Sequence, residues 1–184
     1  MADLCTVALA RQHADKAAGG ADDVWQAIVS GVSAWVCTAI NRDVTQQSYV
    51  AALDGHGGFV QTLPQYPVAS VSSVAIDGQP IPQSVDPCTP GWVLTGVRSL
   101  ALRGGYRFAR GYANVAVSYV AGYATVPADL ALVAARLSAL TYVERTRVGL
   151  TSQQIQQEQI QYAYGQLSAR DRQTLDQYRN VVPA

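Results

Sequence analysis

Two stretches with apolar residues at helical spacing lie far apart in this chain, separated by a long stretch with strand-like spacing. In the first, Trp25, Ile28, Val32, Trp35 and Ala39 recur at steps of three and four, one face of an amphipathic helix. In the second, Leu130, Val133, Ala134, Leu137 and Leu140, continued by Val148, form a matching stripe over residues 127–148. Neither helix can bury its stripe alone, so the two are expected to pack together across everything between them.

What lies between is of another kind. From residue 44 to 120 glycine and proline are frequent, and apolar residues fall into short runs. Val68, Val71, Val74 and Ile76 are separated by small polar residues, and "IDGQPI" carries an Asp-Gly turn signal. "GWVLTG", "RSLALRGG" and "NVAVSYVAGY" read as further strands. The expected fold class is α+β: an antiparallel helical bundle with a small antiparallel β domain inserted between the second and third long helices.

The expected organisation follows. Residues 1–43 form an N-terminal helix pair, with Asp3 capping a first helix from Leu4 and Asp22 and Asp23 opening the second at its positive dipole end. Residues 44–120 form the β insertion, and residues 121–149 form the helix that completes the bundle. Pro127 sits in the first turn of that helix, where its missing N–H costs nothing, and Gly149 stops it. Residues 150–184 form an extended, Gln-rich, partner-binding segment with a short helix starting at Ser168 and using Leu175 and Tyr178.

Composition narrows the function classes. Thirteen basic and thirteen acidic side chains give a formal net charge of +0, so nothing draws the whole chain to nucleic acid or an anionic membrane. Only 14% of residues are charged, against about 25% in an ordinary domain; the weakly polar surface this leaves suits burial against other chains. The three cysteines, Cys5, Cys37 and Cys88, lack metal-ligand spacing and are odd in number, so neither zinc nor a disulfide framework is expected. The reducing cytosol fits that usage. The opening residues lack the apolar core of a signal peptide, and no apolar run approaches the ~20 residues that span a bilayer. No cofactor is expected.

Candidate chemistry is sparse. "GHGGF" at residues 55–59 is similar to the oxyanion loop of some lipases, which would make His56 part of a small hydrolase. The nearest partner serine, Ser33 in "GVSAW", lacks the final glycine and lies in a helical pattern; a glycine turn before a strand, with His56 exposed, is the favoured reading of the stretch. His13 reads as part of a solvated helix face. "LRGGYRFARGY" groups Arg103, Arg107 and Arg110 with Tyr106, Phe108 and Tyr112. Such a cluster could touch nucleic acid by charge and stacking, or meet another protein as an exposed hairpin. Near the end of the long helix, Glu144, Arg145 and Arg147 form either a solvated end or an ion-pairing contact between subunits.

The order of segments carries a resemblance. "NRDV" closes the helix pair; "LPQYPVASVSSVAIDGQPIP", "FARGYANVAVSYVAGYATVPADL", "RLSALTYVERTRVG" and a terminal "LDQYRNV" follow. Together they resemble the head–tail connector (adaptor) proteins of tailed double-stranded DNA bacteriophages, across nearly the whole chain. The resemblance implies a structural protein and not an enzyme. It implies assembly in the host cytoplasm into a ring of copies, usually dodecameric, in the virion neck beneath the portal protein. A stopper or tail-completion protein would sit on the other face, with genomic DNA passing through the lumen without sequence-specific binding. A neck stopper or tail-completion protein is the alternative within the same assembly. Near-neutral charge suits such a conduit, since a strongly basic lining would hold DNA. The resemblance assigns portal binding to Ile155, Ile160, Tyr162, Tyr164, Leu167, Leu175, Tyr178 and Arg179. Contacts to a neighbouring subunit or the stopper would fall to Arg103, Tyr106, Arg107, Phe108, Arg110, Tyr112, Glu144 and Arg147, while Tyr119 and Tyr123 would brace the strand-to-helix junction.

Overall fold

The computed structural model describes residues 2–14, 19–145, 152–155, 158–161 and 167–180. It is α+β, with four helices and antiparallel sheets among the described residues. The chain divides into two compact units, Thr45–Thr125 and a second made of Met1–Val44 with Val126–Ala184.

In the helical unit, α1 (Val7–Ala14), α2 (Asp22–Ala39) and α3 (Ala128–Glu144) pack on one another, and α4 (Ala169–Tyr178) packs on α3. Helix α1 starts later than the sequence suggests. Thr6, not Asp3, serves its first turn, accepting from the Leu9 N–H at 3.2 Å. The Asp3 carboxylate instead binds α2, accepting from Ser30 Oγ at 2.9 Å and from the Gln26 amide.

The buried face of α2 differs from the expected stripe. Trp25, Val29, Ser33, Val36 and Cys37 point inward, while Ile28 and Val32 are half-buried and Trp35 and Ala39 exposed. The true face is rotated by one position and takes in the small side chains of Ser33 and Cys37. Ser33 Oγ accepts from the Leu4 N–H at 3.0 Å, so a hydroxyl that looked neutral in the pattern fixes the N-terminal segment. Helix α3 shifts similarly: Leu130, Val133, Ala134, Ala135, Ser138, Ala139 and Tyr142 are buried, Leu137 is half-buried and Leu140 is 50% exposed. Pro127 is the residue before this helix. Val148 and Gly149 lie outside the described residues.

An aromatic stack ties three helices. The Trp25 and Tyr142 rings lie 3.9 Å apart and 13° from parallel, and Trp25 is fully buried. The carbonyl of Gly19 accepts from Trp25 Nε1 at 3.1 Å and from the Tyr142 hydroxyl. The guanidinium of Arg11 lies over the Trp25 ring at 5.8 Å, and that of Arg145 over Tyr142 at 3.5 Å.

The β unit holds two antiparallel sheets. The first runs β1 (Gln47–Gly55), β7 (Gly111–Ala121), β3 (Val68–Ile76) and β4 (Gln79–Ile81). The second runs β2 (Val60–Thr62), β6 (Ser99–Arg103) and β5 (Gly91–Thr95). Buried residues of both, including Val74, Val117, Tyr119, Trp92, Leu100 and Leu102, share one core. The uneven spacing of Val68, Val71, Val74 and Ile76 would turn a regular strand's side chains to alternate faces. Register shifts between Val68 and Ser70 and between Val71 and Ser73 absorb the extra residues, so these four sit opposite Ala121, Tyr119, Val117 and Val115. The Asp-Gly turn is as expected: Asp77 and Gly78 both have positive φ between β3 and β4. Where the chain leaves this unit, the Gln46 N–H donates to the Tyr123 carbonyl at 3.1 Å, and Thr45 bridges Tyr123. Gly122 there has φ +108, and a Cβ would come within 2.5 Å of the Thr45 carbonyl oxygen, so only glycine fits.

After α3, β8 (Ser152–Ile155) and β9 (Glu158–Gln161) pair antiparallel as a separate two-stranded ribbon, where the sequence suggested an extended segment. Helix α4 begins as expected: Ser168 Oγ accepts from the Asp171 N–H at 3.1 Å and donates to the Asp171 carboxylate at 2.7 Å.

Candidate functional site

Loops at one end of the β unit bring together much of the arginine–aromatic cluster. The loop carrying His56 is pinned to the 103–112 segment by backbone bonds from Gly57 N–H to the Phe108 carbonyl (2.7 Å) and from Phe108 N–H to the Gly58 carbonyl (2.9 Å). Asn114 adds a clamp: its side-chain oxygen accepts from the Gly55 N–H at 2.9 Å, and its amide donates to Ala109 O at 3.0 Å and to Asp77 at 3.1 Å. A Cβ on Gly55 would fall 1.7 Å from the Ala109 carbonyl oxygen, which explains the glycine opening "GHGGF". The stretch is therefore a packed turn.

On this frame Arg103, Arg107 and Arg110 are exposed, and the Arg107 guanidinium lies 4.3 Å from the centre of the Phe59 ring. Tyr112 is 91% exposed, with Tyr106, Phe59 and Val60 also open. Phe108 corrects the expectation: it is a core residue, not a contact residue. His56 is exposed, and Ser33, its supposed nucleophile partner, is buried and engaged with Leu4. Tyr119 is a core residue as well, stacked on Tyr49 at 5.6 Å; burial raises its phenol pKa, partly offset by the Gln65 N–H. Among the described residues no group of three or more His, Cys, Asp or Glu could hold a metal ion, and no helix is long and apolar enough to cross a membrane.

In the helical unit, sequence reasoning missed a surface. Three of the five residues it assigned to the buried face of α2, Ile28, Val32 and Trp35, instead line an open groove of about 380 Å³ with Leu137 and Leu167. Among the described residues no charged side chain lines it, and Trp35 remains 48% exposed. The signal was present: α2 is apolar on more than one stripe.

The expected portal-binding residues divide. Leu167 lies in the groove, and Arg179 is exposed. Leu175 is buried, and the Tyr178 hydroxyl bonds the Asp129 carboxylate at 2.9 Å. These two, with the Arg136–Asp171 ion pair at 3.1 Å, fasten α4 to α3 and are not a free contact surface. Ile155 lies in β8 and Ile160 in β9. Tyr162, Tyr164 and Arg147 lie outside the described residues. Glu144 is half-buried, and Arg145 donates to the Tyr142 carbonyl at 2.8 Å.

Cysteine chemistry gives a direct check. Cys5 and Cys37 are buried, and burial raises both thiol pKa values, leaving little thiolate near neutrality; Cys88 is exposed. Iodoacetamide at neutral pH should modify Cys88 alone in the native chain and all three cysteines after denaturation, read by intact mass. Rapid labelling of Cys5 or Cys37 without denaturant would contradict the packing described.

The family described as head completion protein matches the chain over residues 4–181. No curated protein matches it. Among solved structures, a chain of the virion of the native gene transfer agent particle has a TM-score of 0.62 at 20% identity, covering 98% of this chain and 92% of that one. A chain from the neck of the empty GTA particle, computed with C6 symmetry, has a TM-score of 0.60 at 19% identity, covering 91% and 83%. A chain from the neck of the native GTA particle, computed with C12 symmetry, has a TM-score of 0.57 at 19% identity, covering 86% and 84%. At these identities the likeness is one of fold.

Proposed function

The chain belongs to the head completion protein family, and from that premise we propose that it is a structural neck protein of a phage-like virion, a head–tail adaptor and not an enzyme. The observation that carries this reading is the extent of the family match, which takes in both compact units and reaches α4. The fold likeness to chains from a particle neck supports it. The helices act as an antiparallel bundle from which the β unit is inserted, and copies of the chain form a ring under the portal protein. Ring closure is supported by the cyclic symmetries used for the GTA neck. A stopper or tail-completion protein meets the far side, and double-stranded DNA passes through the lumen. A formal net charge of +0 suits passage, since a conduit must not retain DNA through released counterions.

Portal contact falls to the segment after α3, through Ile155, Ile160, Tyr162, Tyr164, Leu167 and Arg179. The exposed Arg103, Tyr106, Arg107, Arg110 and Tyr112, with Glu144 and Arg147, are assigned to the neighbouring subunit or the stopper. The alternative of a stopper or tail-completion protein predicts no direct portal contact.

The experiment is co-sedimentation with the purified portal ring. Full-length chain should pellet with the portal, whereas a Tyr162→Ala, Tyr164→Ala, Arg179→Ala chain, which keeps Leu175 and the α4–α3 bonds, should stay folded by circular dichroism yet lose at least about tenfold in affinity, about 1.4 kcal/mol. Undiminished binding by the substituted chain would remove the portal role from these residues. Absence of binding by the full chain would favour the stopper reading.

A further inference from the structure

The β unit separates its charges. Its three carboxylates are turned into its own loops. Asp54 accepts from the Ala113 N–H at 2.6 Å, Asp77 from the Asn114 amide at 3.1 Å, and Asp86 from the Cys88 and Thr89 N–H groups at 2.8 Å each. Among the described residues none of the unit's four arginines is in an ion pair. Arg98 lies over the Tyr66 ring at 5.2 Å. Bonds from Thr89 and Cys88 hold the Asp86 carboxyl below its ordinary pKa, and Arg103 adds a weaker attraction. Arg107 and Arg110 remain as exposed cations with no carboxylate in ion-pair contact.

These two arginines stand on a fixed surface. The Arg107 guanidinium lies over the Phe59 ring, itself 46% exposed, and a guanidinium resting on a ring keeps N–H edges free for bidentate bonds to an acid. The Arg110 side chain runs against Gly57, where a Cβ would sit 3.2 Å from its Cγ. The bonds between Phe108 and Gly57 and Gly58 lock the backbone beneath both arginines, so little ordering is left for a partner to impose.

The chemistry of the partner follows from what accompanies these cations. Four arginines against three aspartates give the unit a net charge of +1, with no lysine. A nucleic-acid surface needs many cations to replace counterions along the phosphates. Arginine with exposed Phe59, Tyr106 and Tyr112, and without lysine, is instead the composition of a protein contact. A second copy of this chain is a poor source of the matching acid. Its described carboxylates Asp3, Asp22, Asp129 and Asp171 already serve Ser30, Arg11, Tyr178 and Arg136.

We propose that this end of the β unit docks a different protein through an acidic surface, whose carboxylates pair with Arg107 and Arg110 beside an apolar side chain seated against Phe59 and Tyr112. The proposal rests on the neck reading above and takes this surface away from the neighbouring subunit.

A photoreactive label at the rim tests it. His56 is exposed on the same loop and is not one of the proposed contacts. In a full-length His56→Cys, Cys88→Ser chain the other two cysteines are buried, so a benzophenone maleimide should label position 56 alone. The labelled chain is assembled onto particles lacking it and illuminated. The expected adduct joins it to another particle protein, on a peptide holding at least two Asp or Glu residues. Adding Arg107→Gln with Arg110→Gln should lower its yield at least about fivefold. Adding Arg98→Gln removes the same kind of charge at the other end of β6, about 17 Å from Arg103, and should leave the yield unchanged. An adduct to a second copy, to DNA or to a peptide without acidic residues overturns the proposal, as does no adduct in particles that hold the labelled chain. Without any label, the Arg107→Gln, Arg110→Gln chain should melt as the parent does yet lower the count of tailed particles at least about fivefold; an unchanged count also overturns it. If the unaltered chain is missing from particles, the neck reading itself fails, a result distinct from all of these.

Discussion

Particles made from a genome lacking this chain are expected to accumulate as DNA-filled or leaking heads without tails, and to lose infectivity or DNA transfer. The argument is one of connectivity. A neck adaptor is the only physical joint between a head and what lies below it, so its loss is not graded as the loss of an enzyme activity would be. On the adaptor reading proposed above, heads should still fill, and some should empty again for want of a closure below. Negative-stain imaging with a count of tailed particles reads the result, and supplying the chain from a plasmid should restore tails. Complete, infectious particles in the deletion strain would contradict the structural role outright.

Trp25→Ala should cost the helical unit about 3–5 kcal/mol, lowering its melting temperature by at least about 12 °C. Trp25 is the largest fully buried side chain and touches the fold in three ways. Its ring stacks on Tyr142, its indole N–H bonds the Gly19 carbonyl, and its outer face lies under Arg11. Truncation leaves a cavity between α2 and α3 and frees Tyr142 from its stack, itself worth roughly 0.5–1.5 kcal/mol. Trp25→Phe keeps a ring and loses the N–H bond, and should cost markedly less. Thermal melts followed by helical circular dichroism compare the three proteins. A Trp25→Ala chain melting within about 1 °C of the parent would mean that the stack does not hold the helices together.

Local chemistry made parts of this fold readable. Asp22 and Asp23 marked the start of α2, Ser168 marked that of α4, and Asp77-Gly78 marked the β3–β4 turn, because each acts through backbone geometry within a few residues. What escaped was decided by distant neighbours. Trp25 and Val29 share the inward face of α2, but which adjoining stripe joins them depends on where α3 approaches, and Ser33 and Cys37 give no apolar signal for it. Phe108 sits in a basic, glycine-rich stretch that reads as surface; only the pairing of its backbone with Gly57 and Gly58 turns it into core. The exposure of the arginines and of Tyr112 was readable from the composition of their stretch. The groove beside Trp35 was hidden by the assumption that a well-spaced apolar stripe must be covered within its own chain.

The meeting of Thr45 and Gln46 with Tyr123 has a consequence for descent. A segment whose two ends are fastened side by side can be lost, lengthened or exchanged for another in a single recombination, while the flanking helices keep their own partners. Lineages could therefore change what this segment touches without redesigning the rest, provided each replacement closes on the same tight step at Gly122.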